Sequence, residues 1–235
     1  MSHLEKISLI FLDIDGVLTL NEEDDERIIP MLEAKGHSSS DDIPCDEYDE
    51  MIVELFSEES VNWLEKLISH SIKEVNHSVG IVLSSDWRLN RDIPFLRKLF
   101  RKFNFSVYLF ARTYSFQEED VSRCEEIMHF LKYEISSARD SQESTLLVKG
   151  ITPSNHEELF EVYSFVIIDD HDLSFSQYFP QQYISCHSSL FDEHQYQSAL
   201  AQIIIPWYHC EKAQKSLKHF NPKKYSIAQE NLTLK

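Results

Sequence analysis

Glycine is scarce in this chain, with 4 in 235 residues, which excludes low-complexity and fibrous architectures. Cysteine is as sparse, and Cys45, Cys124, Cys186 and Cys210 lie far apart with no C-x-x-C pair. That dispersal argues against a structural zinc site and fits reduced thiols in a cytosolic setting, or in a secreted effector that acts in another cell's cytosol. Positive charge is short: 22 Lys and Arg face 40 Asp and Glu, for a net charge of -18. Such acidity speaks against broad non-specific binding to nucleic acid or anionic membranes, though a local basic patch is compatible with it. No apolar run is long enough to cross a bilayer. The first apolar run follows Glu5 and Lys6, is cut by Asp13 and has no small-residue cleavage site, so no signal peptide is expected. No internal repeat is visible.

What is present is a recurring design. Ile7–Leu12 is a run of apolar, strand-forming residues that stops at Asp13, Ile14, Asp15 and Gly16. A buried strand has no reason to end in two carboxylates unless something there needs them. In an open α/β sheet the carboxyl ends of the strands form the ligand crevice. Two such carboxylates suit a hard cation, or a nucleophile with an acid/base partner. Gly16 supplies backbone freedom and lets a ligand come close. The design returns at Ile81–Leu83, which ends in Ser84, Ser85, Asp86, Trp87 and Arg88, and again at Phe165–Ile168, which ends in Asp169 and Asp170. Ser84 and Ser85 can donate to phosphoryl oxygens, while Ser85 and Asp86 read equally well as a helix cap. Arg88 either contacts substrate or pairs with a carboxylate to fix the loop.

D-I-D-G-V-L resembles the first motif of the haloacid dehalogenase (HAD) superfamily of aspartate-nucleophile phosphotransferases. Ser84 then matches the second motif and Asp169-Asp170 the fourth. The S-S-D-W-R tail resembles the HAD-type domain of the multidomain Swiss Army knife RNA-repair proteins. The third motif of the superfamily is a Lys or Arg near the start of the helix before the last catalytic strand. Arg123, in S-R-C-E-E-I-M-H-F-L, is the preferred match, since the RNA-repair-type domains carry R-x-x-E-I; Lys149, in L-L-V-K-G, competes.

The segments between the motifs fill in the architecture. Residues 19–56 form an acidic insertion at the position of a flap or cap, read either as a solvated loop or as a partner-binding one. Residues 58–76 predict a crossover helix with Val61, Leu64, Leu67, Ile68 and Ile72 on one face. A basic helix follows Pro94, its Arg97, Lys98, Arg101 and Lys102 being a solvated face or a guide for phosphate. Phe105–Ala111 reads as a third strand and 121–131 as a helix. Residues 134–160 read as a variable insertion, Tyr183–Cys186 as a short strand, and 193–235 as a helical segment and tail broken at Pro206.

These readings predict one α/β domain over 1–235, a Rossmann-like three-layer sandwich with a mostly parallel central sheet and a small or absent cap. The resemblance implies a Mg²⁺-dependent phosphatase acting through an aspartyl-phosphate on a polynucleotide end, nucleotide or phosphoprotein. In it Asp13 is the nucleophile, Asp15 the acid/base, and Ser84 and Arg123 hold the transferring oxygens. Gly16, Ser85, Arg88 and Lys149 are substrate-side candidates. Mg²⁺ falls to Asp13, the main-chain carbonyl of Asp15, Asp169 and Asp170. The contrasting expectation is a HAD-fold binding or scaffold module that engages a protein partner through its acidic loop. The intact Asp13/Asp15 pair favours the enzyme.

Overall fold

In a computed structural model, residues 5–19, 28–36, 51, 53–91, 93–105, 108–113, 121–134, 160–186 and 190–220 are described. Most of the acidic insertion, the stretch 135–159 with Lys149, and the tail after 220 lie outside the described residues.

Among the described residues, five strands make one sheet: β1 (Glu5–Leu12), β2 (Ser78–Leu83), β3 (Leu109–Arg112), β4 (Phe160–Asp169) and β5 (Tyr183–Ser185). Their order is β3-β2-β1-β4-β5, and every pairing is parallel rather than mostly so. The three strands that end in site residues are therefore central neighbours. Parallel pairing requires crossovers, and helices supply them on both faces.

The side-chain alternation of β1 divides the core. Ile10 and Leu12 face a layer with Val61, Leu64, Leu67 and Ile68 of α2 (Glu58–Val75) and Leu96 and Leu99 of α4 (Ile93–Lys102). The same layer holds Tyr196, Ala199 and Ile203 of α7 (Glu193–Ile203). Leu9 and Phe11 face the other layer, with Cys124, Ile127 and Met128 of α5 (Arg123–His129), Phe175 of α6 (Phe175–Tyr178), and Ala213 and Leu217 of α8 (Glu211–His219). The remaining described helices are short: α1 (Ile28–Ala34) within the acidic insertion and α3 (Trp87–Asn90) after β2. Phe11 meets Phe130 and Phe165 edge to face at 5.6 and 6.0 Å. Each fully buried side chain of this size contributes about 1.5–3 kcal/mol. The chain thus forms an α/β, Rossmann-like three-layer sandwich.

Local signals set the helix bounds. Ser57 caps α2 through Ser60 N–H at 3.2 Å, and Asn76 ends it in the left-handed conformation with φ 53°. Ser122 and Glu125 form a reciprocal capping box at the start of α5, which fixes Arg123 as its first residue. Some bounds differ from expectation. The third strand begins at Leu109 rather than Phe105, because Phe105 closes a turn whose carbonyl accepts from Tyr108 N–H at 2.8 Å. β4 begins at Phe160, ahead of the expected Phe165. Helix α5 loosens after His129 into a π-helical turn at Phe130–Glu134. At the Pro206 break, α7 ends at Ile203 and α8 starts at Glu211, with a 3₁₀ turn at Trp207–His209 between them. On α4, Lys98, Arg101 and Lys102 are exposed while Leu96, Leu99 and Phe100 are buried, as a solvated basic face requires.

Candidate active site

The ladder of the sheet runs one residue past β1, β2 and β5. Asp13 N–H donates to Ile168 O, Ser84 N–H to Leu12 O, and Cys186 N–H to Asp169 O, each at 3.0 Å. Asp13, Ser84 and Asp169 are thereby held side by side at the carboxyl edge by backbone bonds. The chain then turns sharply. Leu18 N–H returns to Ile14 O at 2.8 Å, and Gly16 takes φ +71°. A Cβ on Gly16 would lie 2.2 Å from Asp170 Oδ2, so the group that approaches this glycine closely is the Asp170 carboxylate.

Carboxylate oxygens of Asp13, Asp169 and Asp170 lie within 4.8 Å of one another, and all three residues are buried. Arg123 reaches into this group from the first turn of α5. Its Nη1 donates to Asp13 Oδ2 at 2.6 Å and to Asp169 Oδ2 at 2.8 Å, and Nη2 lies 3.3 Å from Asp86 Oδ1. Asp13 Oδ1 accepts from Ile14 N–H at 2.9 Å, and Asp169 Oδ1 from His171 N–H at 2.9 Å. Burial pushes the Asp13 carboxyl up, against the opposing pull of Arg123, the Ile14 N–H and Ser85. Burial and the Asp13 charge push Asp169 up to about 7. Burial acts to lower Arg123, but Asp13 and Asp169 outweigh it and hold the guanidinium firmly charged. The three crowded carboxylates, two of them bonded to Arg123, form a set of oxygen donors of the kind that a hard divalent ion fits.

Asp15 lies outside this triad, and its carboxylate turns toward Trp87 and Thr19. The Trp87 Nε1–H donates to Oδ2 at 2.9 Å and the Thr19 hydroxyl to Oδ1 at 3.2 Å. The Ser84 hydroxyl is fully buried and has no hydrogen-bond partner among the described residues. An unsatisfied buried hydroxyl at this edge is poised to meet a ligand oxygen. Ser85 accepts from Trp87 N–H at 3.3 Å, which is the capping alternative, and it also faces Asp13. Asp86 forms no side-chain cap.

Arg88 takes the pairing alternative. It is 5 % exposed and forms a salt bridge with Glu126 of α5. Its Nη1 donates to the carbonyls of Ser84 and Ser85 at 2.6 and 2.7 Å. It thus turns inward and braces the loop from beneath. Lys149 lies outside the described residues. Trp87, Thr19, Asp86 and Glu126 were absent from the sequence-derived site. Their signals were faint: Trp87 and Asp86 sit inside S-S-D-W-R, and Glu126 is the acidic position of R-x-x-E-I.

The family profile for the HAD domain in Swiss Army Knife RNA repair proteins matches residues 9–143, more than half of the chain. The chain belongs to this HAD family. The matched span includes Asp13, Asp15, Ser84 and Arg123, while Asp169 and Asp170 follow it. No curated protein and no solved structure matches the chain. Among the described residues, no helix of this HAD domain is long and apolar enough to cross a membrane.

Proposed function

We propose that this HAD domain is a Mg²⁺-dependent phosphatase that hydrolyses a phosphomonoester through an aspartyl-phosphate. The observation that carries the reading is Asp13 itself. It is a buried carboxylate held by the ladder at the end of a central strand, bonded to Arg123 and within the acidic triad.

The phosphoryl group's own negative charge is the barrier to attack by a carboxylate, so neutralisation and aim supply most of the catalysis. Asp13, Asp169 and Asp170, with the Asp15 carbonyl, would hold Mg²⁺, which supplies charge neutralisation for the phosphoryl oxygens. Asp13 attacks phosphorus with a carboxylate oxygen. Arg123 and the Ser84 hydroxyl hold transferring oxygens. Asp15 gives a proton to the leaving oxygen and later takes one from the water that hydrolyses the intermediate. Arg88 holds the carbonyls of Ser84 and Ser85 and so keeps the serine in place. The family's description favours a polynucleotide end as the ester, while the net charge of -18 confines any such contact to a local surface.

The test is hydrolysis of p-nitrophenyl phosphate with Mg²⁺ and with chelator, by wild type and Asp13→Asn. Metal-dependent turnover that falls about 1,000-fold or more in Asp13→Asn is expected, since the nucleophile cannot be replaced by a neighbour. Turnover unchanged in Asp13→Asn would overturn the mechanism. End-phosphorylated oligonucleotides, nucleoside monophosphates and a phosphopeptide then rank the substrate classes.

A further inference from the structure

A carboxyl group can protonate a leaving oxygen only if the right oxygen stays within hydrogen-bond reach of it. Asp15 stands on a turn, where two side-chain torsions could lose that aim, yet both of its oxygens are engaged. Trp87 Nε1–H donates to Oδ2 at 2.9 Å and the Thr19 hydroxyl to Oδ1 at 3.2 Å. The two partners differ in kind. An indole N–H only donates, so it holds Oδ2 as an acceptor for as long as the contact lasts. A hydroxyl donates and accepts, so Thr19 can turn round when Oδ1 carries a proton.

Trp87 is itself well fixed. It is 7 % exposed, packs edge to face on Phe56 at 5.7 Å, and lies 6.5 Å from Phe95, with the Arg91 guanidinium 5.8 Å from its ring. Its backbone N–H is bonded to the Ser85 hydroxyl. An aromatic packed this closely has little rotamer freedom left, so the donor it presents stays aimed.

Resting on the phosphatase reading, we propose that Trp87 is a positioning residue for Asp15, its indole occupying Oδ2 so that Oδ1 is the oxygen presented to the leaving group. As a bond forms from Asp13 to phosphorus, the ester P–O bond breaks and its electron pair goes to the leaving oxygen. That oxygen takes the proton from Oδ1, which leaves Asp15 a carboxylate. In the second half, water attacks phosphorus, its proton returns to Asp15, and the bond to Asp13 breaks. Trp87 exchanges no proton and touches no substrate.

The test uses Trp87→Phe, which keeps a ring between Phe56 and Phe95 and removes the N–H. With Mg²⁺ present, kcat/KM is measured on dinitrophenyl phosphate, whose leaving oxygen departs as a stable anion, and on phenyl phosphate, whose leaving oxygen needs the proton. A loss of about 10-fold to 100-fold on phenyl phosphate is expected, part of what an acid catalyst supplies, with little change on the dinitrophenyl ester. Adding Trp87→Phe to Asp15→Asn should cost nothing more on phenyl phosphate. An equal loss on both esters, or none on phenyl phosphate, overturns the positioning role and leaves the phosphatase reading standing. Failure of folded wild type to hydrolyse either ester overturns that reading, and the proposal with it. The contact has its own readout: the Trp87 indole ¹H–¹⁵N resonance shifts in Asp15→Asn, and a resonance that stays in place overturns the proposal even if Trp87→Phe fails to fold.

Discussion

Strands β1 and β4 carry polar side chains at two levels, and the two levels are treated oppositely. In their amino-terminal halves Ser8 and Ser164 face each other across the register, with their hydroxyls 2.7 Å apart. Ser164 donates to the Ile203 carbonyl, and His77 Nε2 lies 2.8 Å from the Ser8 hydroxyl. This chain of bonds consumes its own polarity, and buried hydroxyls settled in this way are neutral architecture. At the carboxyl edge of the same strands stand Asp13 and Asp169, where charge is concentrated around Arg123 and the Ser84 hydroxyl has no partner among the described residues. Polarity that the fold needs is satisfied internally. Polarity left over at a strand end is available to something outside the chain.

The sharpest way to break this comparison is to remove charge from the carboxyl edge. Asp169→Asn takes one carboxylate from the buried triad and one of the two that Arg123 Nη1 bonds. The metal-free protein should gain about 0.5–2 kcal/mol, as expected when a strained functional group is relieved. Phosphatase activity should fall by about 100-fold to 1,000-fold through loss of an electrostatic partner of the transition state. Denaturant unfolding in chelator and p-nitrophenyl phosphate turnover with Mg²⁺ read the two sides. Lower stability together with retained activity would mean that the carboxyl edge is architecture like the other level.

The Arg88–Glu126 pair sits at the carboxyl edge yet behaves like the satisfied level. Both side chains are buried, and Arg88 also answers two backbone carbonyls. Arg88→Met leaves Glu126 and both carbonyls without their donor, a loss of about 3–5 kcal/mol when one partner of a buried pair is removed. Adding Glu126→Leu should recover much of that loss, because an apolar replacement of both partners often approaches neutrality. Activity per folded molecule should stay reduced in the double variant, since the carbonyls of Ser84 and Ser85 have still lost their brace. Arg123 should admit no such rescue, because its partners Asp13 and Asp169 are the carboxylates to which the proposed reaction assigns the nucleophile and the metal. A double variant with full activity would show that the motif-two loop holds its shape unaided.

These contrasts also explain how much the sequence disclosed. Strand ends were legible because a buried apolar run that stops at Asp13, Ser84 or Asp169 breaks its own pattern locally. The crossover helix was legible for the same reason, its Ser57 cap and apolar spacing being adjacent in the chain. Pairings across the chain were not. Trp87 meets Asp15 from 72 residues away, and nothing in either neighbourhood announces it. Glu126 entered only as the acidic position of R-x-x-E-I, and its place in the first turn of a helix beside Glu125, where such charge is usual, gives no sign of burial. Its burial follows from α5 packing its Cys124, Ile127 and Met128 face against the sheet. Gly16 was read as room for a ligand, whereas Asp170, on a different strand end, occupies that side. The third strand's start was missed because Phe105 is as apolar as a strand residue but buries its ring from a turn.

The smallest expected effect probes the satisfied level. His77 has its pKa lowered by burial first, against an opposing bond to the Val75 carbonyl, with Lys6 lowering it further. The folded protein therefore binds fewer protons at His77 than the unfolded chain does near its ordinary value of 6.5. Stability rises with pH wherever the unfolded state binds more protons, so this contribution is complete above that value and is lost as pH falls through it. His77→Gln keeps a donor for Ser8 and removes the titration. The difference in unfolding midpoint between wild type and His77→Gln should thus drift against wild type from pH 7.5 to pH 5.5, by a small amount because the ring is partly solvated. Phosphatase activity should not change. A drift of the opposite sign would mean that the Ser8–Ser164 chain accommodates a charged imidazolium. The contrast between a neutral amino-terminal level and a charged carboxyl edge would then have to be redrawn around Lys6 and His77 rather than around the serines.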